Sequence, residues 1–508
     1  GGEAAAFRLN IDPTMKKCFL SIVCLWVWLA GCKKELPTPD SGFAQKSPAS
    51  GAMDVAWLPV FEWNASEGAA SYALVVSNNS SYASPVIDVP ELKETMYTAT
   101  VALTGNTKYY WKVTATGANG ATLATNAGIA FTTASAPVRS SRYYVAPDGV
   151  DSPENGTAAK PFKTLAFAAS QVPADKGDTI LLAAGTYTET RAAMIPTGVH
   201  VMGTGQDKTI LSSSGIIGTS PNKNWYEGSL ILLVSPHNDV PHDPKTLVLP
   251  PKDGNQTLSG FTIDGNNKSL KAGVWVENRN NVTMHHVSIK NCDQRGAVFA
   301  AGEKDWFAYP KFWMQNTKVY NCTFTNCGKD LTDETLGNLC LAQLDGADIH
   351  DITINDNQGY GIKFIFDGYF KNTKIHDCNI TVSESDSKWG EDIAVELWNI
   401  GPGNEVHDIV CNTWLSIVNH PEMFGTPAGL EQMKVYNIRM IDKDGNSNKE
   451  AVEIGAPGVE VYNSYFENKG IGIAIWDMGR QNISVHNNVF YNATEKSNWA
   501  SGAAIYID

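Results

Sequence analysis

Three things are scarce in this chain of 508 residues. The first is basic charge: 39 Lys and Arg stand against 53 Asp and Glu, a formal net charge of −14. So acidic a chain argues against nucleic acid and against anionic membrane surfaces as partners, since both favour basic patches. An acidic polysaccharide would also be repelled on average, unless a local basic patch or a bridging cation intervenes. The second is a membrane-spanning run: the apolar stretch at 18–28 is too short to cross a bilayer. The third is paired cysteine. Six of the nine, Cys292, Cys322, Cys327, Cys340, Cys378 and Cys411, lie in the second half with no CxxC spacing, which argues against a zinc site. They are expected to pack as small buried hydrophobes.

What is present begins with an address. Met15-Lys16-Lys17, the apolar stretch and Leu29-Ala30-Gly31-Cys32 follow in order, and this resembles a bacterial lipoprotein signal (15–32) with its lipobox. The resemblance implies cleavage before Cys32 and lipid attachment to its thiol. It also implies a protein anchored at the outer membrane, on the cell surface or the periplasmic face, meeting the membrane only through that lipid. Residues 1–14 precede the methionine and are set aside as upstream sequence. Residues 33–52, rich in Pro, Ser, Gly and Lys, read as a tether.

Residues 53–133 alternate as short strands broken by turn clusters, the pattern of a β-sandwich. Trp63, the strand around Tyr72, Tyr109-Tyr110-Trp111-Lys112-Val113 and the closing Phe131-Thr132-Thr133 resemble a fibronectin type III module. Such a module implies a spacer, with no chemistry of its own. A linker, 134–141, follows.

A phrase then returns along the chain: Met284-His285-His286-Val287, Val319-Tyr320-Asn321-Cys322, Ile349-His350-Asp351-Ile352, Ile375-His376-Asp377-Cys378, Val406-His407-Asp408-Ile409, Val435-Tyr436-Asn437-Ile438, Val461-Tyr462-Asn463-Ser464 and Val485-His486-Asn487-Asn488. The third positions are 35, 30, 26, 31, 29, 26 and 24 residues apart. That period marks a solenoid with one coil per repeat. The Asn/Asp column reads as a hydrogen-bonded ladder at a tight turn, and the His/Tyr column beside it as stacked rings. With Tyr143-Tyr144-Val145-Ala146-Pro147-Asp148-Gly149 and a helical spacing of Phe162, Leu165 and Ala169 ahead of it, the succession resembles the right-handed parallel β-helix proteins of the pectin-lyase-like superfamily. The resemblance covers 142–508, with an N-terminal cap at about 142–180 and three-strand coils. The expected class is all-β. The last residues, Ala503-Ala504-Ile505-Tyr506-Ile507-Asp508, have a strand pattern with no cap after it, which reads as a truncated C-terminal end.

Related folds hold polymer along the first strand of each coil. Period two along those strands sends Gln343, Lys363, Glu396, Ser416, Glu453 and Ala474 outward. Glu396 and Glu453 are then two rungs apart, roughly 9–10 Å, near the ~6.5–9.5 Å an inverting glycosidase needs between its carboxyl groups. Alternatively Lys363 serves as the base of a β-eliminating lyase, with Glu396 or Glu453 helping to hold Ca²⁺ against a uronate. His420 is a further acid/base candidate. Trp389, Trp398, Trp414 and Trp476 are candidate sugar-stacking faces, with Gln343, Asp477 and Arg480 flanking them. The competing reading is a solvated charge ladder of little energetic weight. The polygalacturonase motif set is missing, and so is the Lys-then-Arg pair of alginate-lyase-like members, so hydrolysis and β-elimination both stay open. A monomer acting on polysaccharide is expected, and a non-catalytic glycan-binding or adhesin-like surface protein is the alternative.

Overall fold

The computed structural model describes residues 39, 42–118, 120–135, 141–215, 226–234, 250–266, 270–301, 310, 312–328, 337–356, 360–366, 368–383, 393–419, 433–442, 450–476, 481–493 and 502–507. The chain forms two compact units: Gly1–Gly51 with Val60–Tyr97 and Tyr109–Ala130, and Ala52–Pro59 with Thr98–Lys108 and Phe131–Asp508.

The first unit is a β-sandwich. Ser71–Ser77 and Lys108–Gly117 alternate buried and partly exposed residues, as strands with one covered face do. They pair antiparallel within a five-stranded sheet. Across from it, in a three-stranded sheet, Phe61 meets Trp111 edge-on at 5.1 Å and Trp63 meets Tyr72 at 5.6 Å. The expected tether is shorter than its composition suggested. Gln45–Ser47 is a strand paired with Val60–Trp63, and Gln45 Nε2 donates to the Trp111 carbonyl at 3.0 Å. Polar composition hid it because a short edge strand buries only alternate residues.

The second unit is a right-handed parallel β-helix. Among the described residues it contains a 16-stranded sheet, an 11-stranded sheet and a short sheet of three two-residue strands. Its interior is one continuous apolar column that includes Phe261, Val287, Phe324, Ile354, Ile380, Ile409 and Val435. At its start the chain forms the helix Leu165–Gln171, whose N-cap Thr164 accepts from the Phe167 N–H. The fully buried carboxylate of Glu189 takes the Leu165 and Ala166 N–H groups, at 2.8 and 3.2 Å.

The returning phrase is a backbone kink. His286, Asn321, Asp351, Asp377, Asp408, Asn437, Asn463 and Asn487 all sit in the left-handed region, φ from 50 to 55°. Asn and Asp enter that region at lower cost than other side-chain-bearing residues, which explains the column. The kink mostly lies within a strand, as Asp377 does in Lys374–Val382, where the sequence suggested a turn between two strands. Beside it His285, Tyr320, His350, His376, His407, Tyr436, Tyr462 and His486 form one unbroken stack. Successive ring centroids lie 4.6 to 5.2 Å apart, with planes within 13°. A second left-handed asparagine series, Asn266, Asn291, Asn326, Asn468 and Asn492, marks the next corner. All six cysteines of the coils are buried and unbridged, and burial pushes the thiols of Cys322, Cys378 and Cys411 up to about 12.

Candidate functional site

Part of the 11-stranded sheet is covered on both faces. Its strands Ser229–Val234, Ala272–Glu277, Arg295–Ala300 and Gly337–Ala342 are buried at every position. Inward residues join the coil interior. Several outward ones, Leu232, Trp275, Val298 and Cys340, belong to a second apolar cluster.

Strand pairing puts those four side chains in one row and carries the row onward to Lys363, Glu396, Ser416, Glu453 and Ala474. So an apolar row turns polar for four consecutive coils and then apolar again. Within the polar segment Lys363 Nζ lies 3.2 Å from Glu396 Oε2, with 6% of each side chain exposed. Trp398 Nε1 donates to Glu396 Oε1 at 3.0 Å. The Lys363 ammonium sits 5.3 Å from the Tyr360 ring centre and 5.9 Å from that of Phe364, within cation–π reach. On the next two coils the Ser416 hydroxyl donates to Glu453 Oε2 at 2.6 Å. Ser416 is buried and Glu453 only half-buried, which makes Glu453 the more accessible carboxylate.

Gln343 is not in this row. Cys340 stands opposite Lys363, while Gln343 lies past the end of its strand in a left-handed conformation, 2% exposed. Counted from Cys340, period two sends Ala342 outward and Gln343 to the other face, whereas the sequence reading had taken the opposite register here. Nor is Trp414 an open platform: it is 5% exposed at the head of its strand, so packing has claimed it. Trp398 is partly accessible, but Phe364 stacks on it at 4.4 Å. Trp476 is also partly accessible, meeting Tyr506 edge-on at 6.0 Å. Asn419 serves the backbone, accepting from the Ile400 N–H at 2.9 Å. His420, Trp389, Asp477, Arg480 and Cys32 lie outside the described residues.

Lys363 is poorly suited to act as a lyase base. A base must be a free amine, and the carboxylate and two ring faces around this one favour its ammonium form. Among the described residues no group of three His, Cys, Asp or Glu gathers as a metal-binding set. The sequence reading missed Tyr360 and Phe364, although both flank Lys363 in the strand Tyr360–Phe364.

A sequence family described only as a protein of unknown function, DUF1565, matches residues 148–357. No curated protein matches the chain. Among solved structures it is similar to an alginate lyase from a Paenibacillus species: 12% identity, 64% of this chain and 96% of that one, TM-score 0.39. A surface adhesin of Streptococcus pneumoniae is 15% identical over 66% and 86% of the two chains, TM-score 0.38. A tailspike protein of an E. coli bacteriophage, solved with a pentasaccharide, is 12% identical over 68% and 61%, TM-score 0.47.

Proposed function

We propose that this chain is a lipid-anchored protein that cleaves a polysaccharide by hydrolysis on the outer face of the 11-stranded sheet. One observation carries the reading: Lys363, Glu396, Ser416 and Glu453 occupy four consecutive rungs of an otherwise apolar row. The two carboxylates are two rungs apart, roughly 9–10 Å between backbones. Side chains can close that to the ~6.5–9.5 Å of an inverting pair. Glu453, half-buried and bonded by the Ser416 hydroxyl, is the residue placed to exchange a proton with substrate or water. Glu396, fixed by Lys363 and the Trp398 N–H, is the second carboxyl of that pair, the base that takes a proton from the attacking water as Glu453 protonates the leaving oxygen. The β-sandwich, as a fibronectin type III-like spacer, and the Cys32 lipid complete the reading.

A second reading, binding without cleavage, has its own support: Glu396 is already satisfied and closed off, so it has little freedom to move protons. A polysaccharide screen that reads reducing ends and unsaturated-uronate absorbance, with and without Ca²⁺, separates the two. Reducing ends alone mean hydrolysis, and both signals together mean β-elimination. Retention on a polysaccharide with neither signal means binding.

A further inference from the structure

A second polar cluster lies away from the candidate site, at the corner between the two large sheets. Asp442 follows the strand Met433–Ile441, and Glu450 opens the strand Glu450–Gly455. Lys469 sits in the turn before Ile471–Ile475, one coil further on. All three are buried: Asp442 is 6% exposed, Glu450 4% and Lys469 2%. Lys469 Nζ lies 3.1 Å from Asp442 Oδ2. The backbone locks the approach, since the Asp442 N–H donates to the Glu467 carbonyl at 3.2 Å and Asn468 Nδ2 donates to the Asp442 carbonyl at 2.9 Å. Asn468 has a φ of 62°, and that left-handed turn leads directly into Lys469.

We propose that Lys469 and Asp442 condense to an amide, a covalent staple between neighbouring coils, with Glu450 as the proton carrier. A buried ion pair is costly to keep dry. Transfer of one proton from ammonium to carboxylate leaves a neutral amine beside a neutral acid. Burial works in that direction, lowering the Lys469 pKa while the charges of Asp442, Cys411 and Glu450 oppose it. A desolvated lysine is a nucleophile. Its nitrogen attacks the Asp442 carboxyl carbon; the new C–N bond forms, the C–OH bond breaks, and one water leaves. Glu450 takes the proton from the attacking nitrogen and returns it to the departing hydroxyl, so it ends unchanged. No oxidant is needed. A Lys469–Cys411 bridge would need one, and burial holds the Cys411 thiol up at about 12.

The test is tryptic peptide mass spectrometry of the folded, full-length chain. The amide joins the peptide 440–443 to 450–480, uncut at Lys469, as one branched species about 18 Da lighter than the sum of the two. Asp442→Asn still cross-links, losing ammonia, about 17 Da. Glu450→Gln folds but gives the linear peptides 440–443, 450–469 and 470–480. Recovery of 440–443 as a linear peptide, with cleavage after Lys469, from folded wild-type protein overturns the proposal. So does a cross-link of full yield in Glu450→Gln, for the proton-carrier role.

Discussion

Lys363 and Glu396 form an ion pair 3.2 Å long, on adjacent coils of the sheet's outer face and almost closed to water. Removing one partner leaves the other as an uncompensated buried charge, a loss of about 3–5 kcal/mol. Lys363→Met is therefore expected to lower the urea unfolding midpoint sharply, and Lys363→Met with Glu396→Leu to recover most of the loss. A single variant with an unchanged midpoint would mean that water reaches the pair.

The kink column makes a backbone prediction. Asn437 has φ 55°, and its side chain donates to Asp408 Oδ1 at 3.1 Å. Asn437→Ala should cost about 1–2 kcal/mol from the left-handed conformation, besides the lost hydrogen bond. Asn437→Gly should cost less, because glycine enters that region freely. Chemical denaturation of both variants checks the order, and a reversed order would remove the backbone explanation.

Glu189 gives the cap a pH dependence. Burial raises its pKa from 4.5 to about 7, against the pull of the Leu165 and Ala166 N–H groups. A carboxyl whose folded pKa is raised favours folding when protonated, so stability is lost as pH climbs from about 4.5 to 7 and then levels. Relative to Glu189→Gln, the wild type should fall through that window. Parallel melting curves across it would show that Glu189 does not titrate there.

His376 carries the opposite sign. Burial works to lower its pKa, but Asp377, 2.7 Å from Nδ1, and Asp348, 3.1 Å from Nε2, overturn this and raise it. A histidine raised on folding adds stability below its unfolded pKa and loses it as pH rises through the folded value. His376→Gln should thus be less stable than wild type at pH 5.5 and closer to it at pH 8. A constant difference would mean that the ring contributes by stacking alone.

Much of this architecture can be read from the chain. The phrase containing His376-Asp377 spaces the coils, and its chemistry explains both ladders: short polar side chains where φ must be positive, flat rings where neighbours repeat every coil. The site was harder to read. Alternation identifies which side chain leaves the coil, as at Lys363 and Glu396, but not whether water lies beyond it. The runs Leu339-Cys340-Leu341-Ala342 and Val274-Trp275-Val276 are apolar on both faces, the mark of strands covered on both sides, and they foretold a closed outer row. Gln343 was misplaced because Leu339-Cys340-Leu341-Ala342 is apolar at every position, so nothing in the run shows which parity faces out, and the register was taken one residue off. The pairing of Asp442 with Lys469 joins corners of different coils, and no local pattern records it.

The central claim is that Glu453 does chemistry on a glycan. The most direct test measures reducing ends released from a polysaccharide panel by wild type, Ser416→Ala and Glu453→Gln, each first shown to melt as a folded protein. Release by the wild type, a drop of ~10²–10⁴-fold in Glu453→Gln and a smaller one in Ser416→Ala is the predicted result. Undiminished release by Glu453→Gln, or no release from any polysaccharide that the wild type retains, would contradict it.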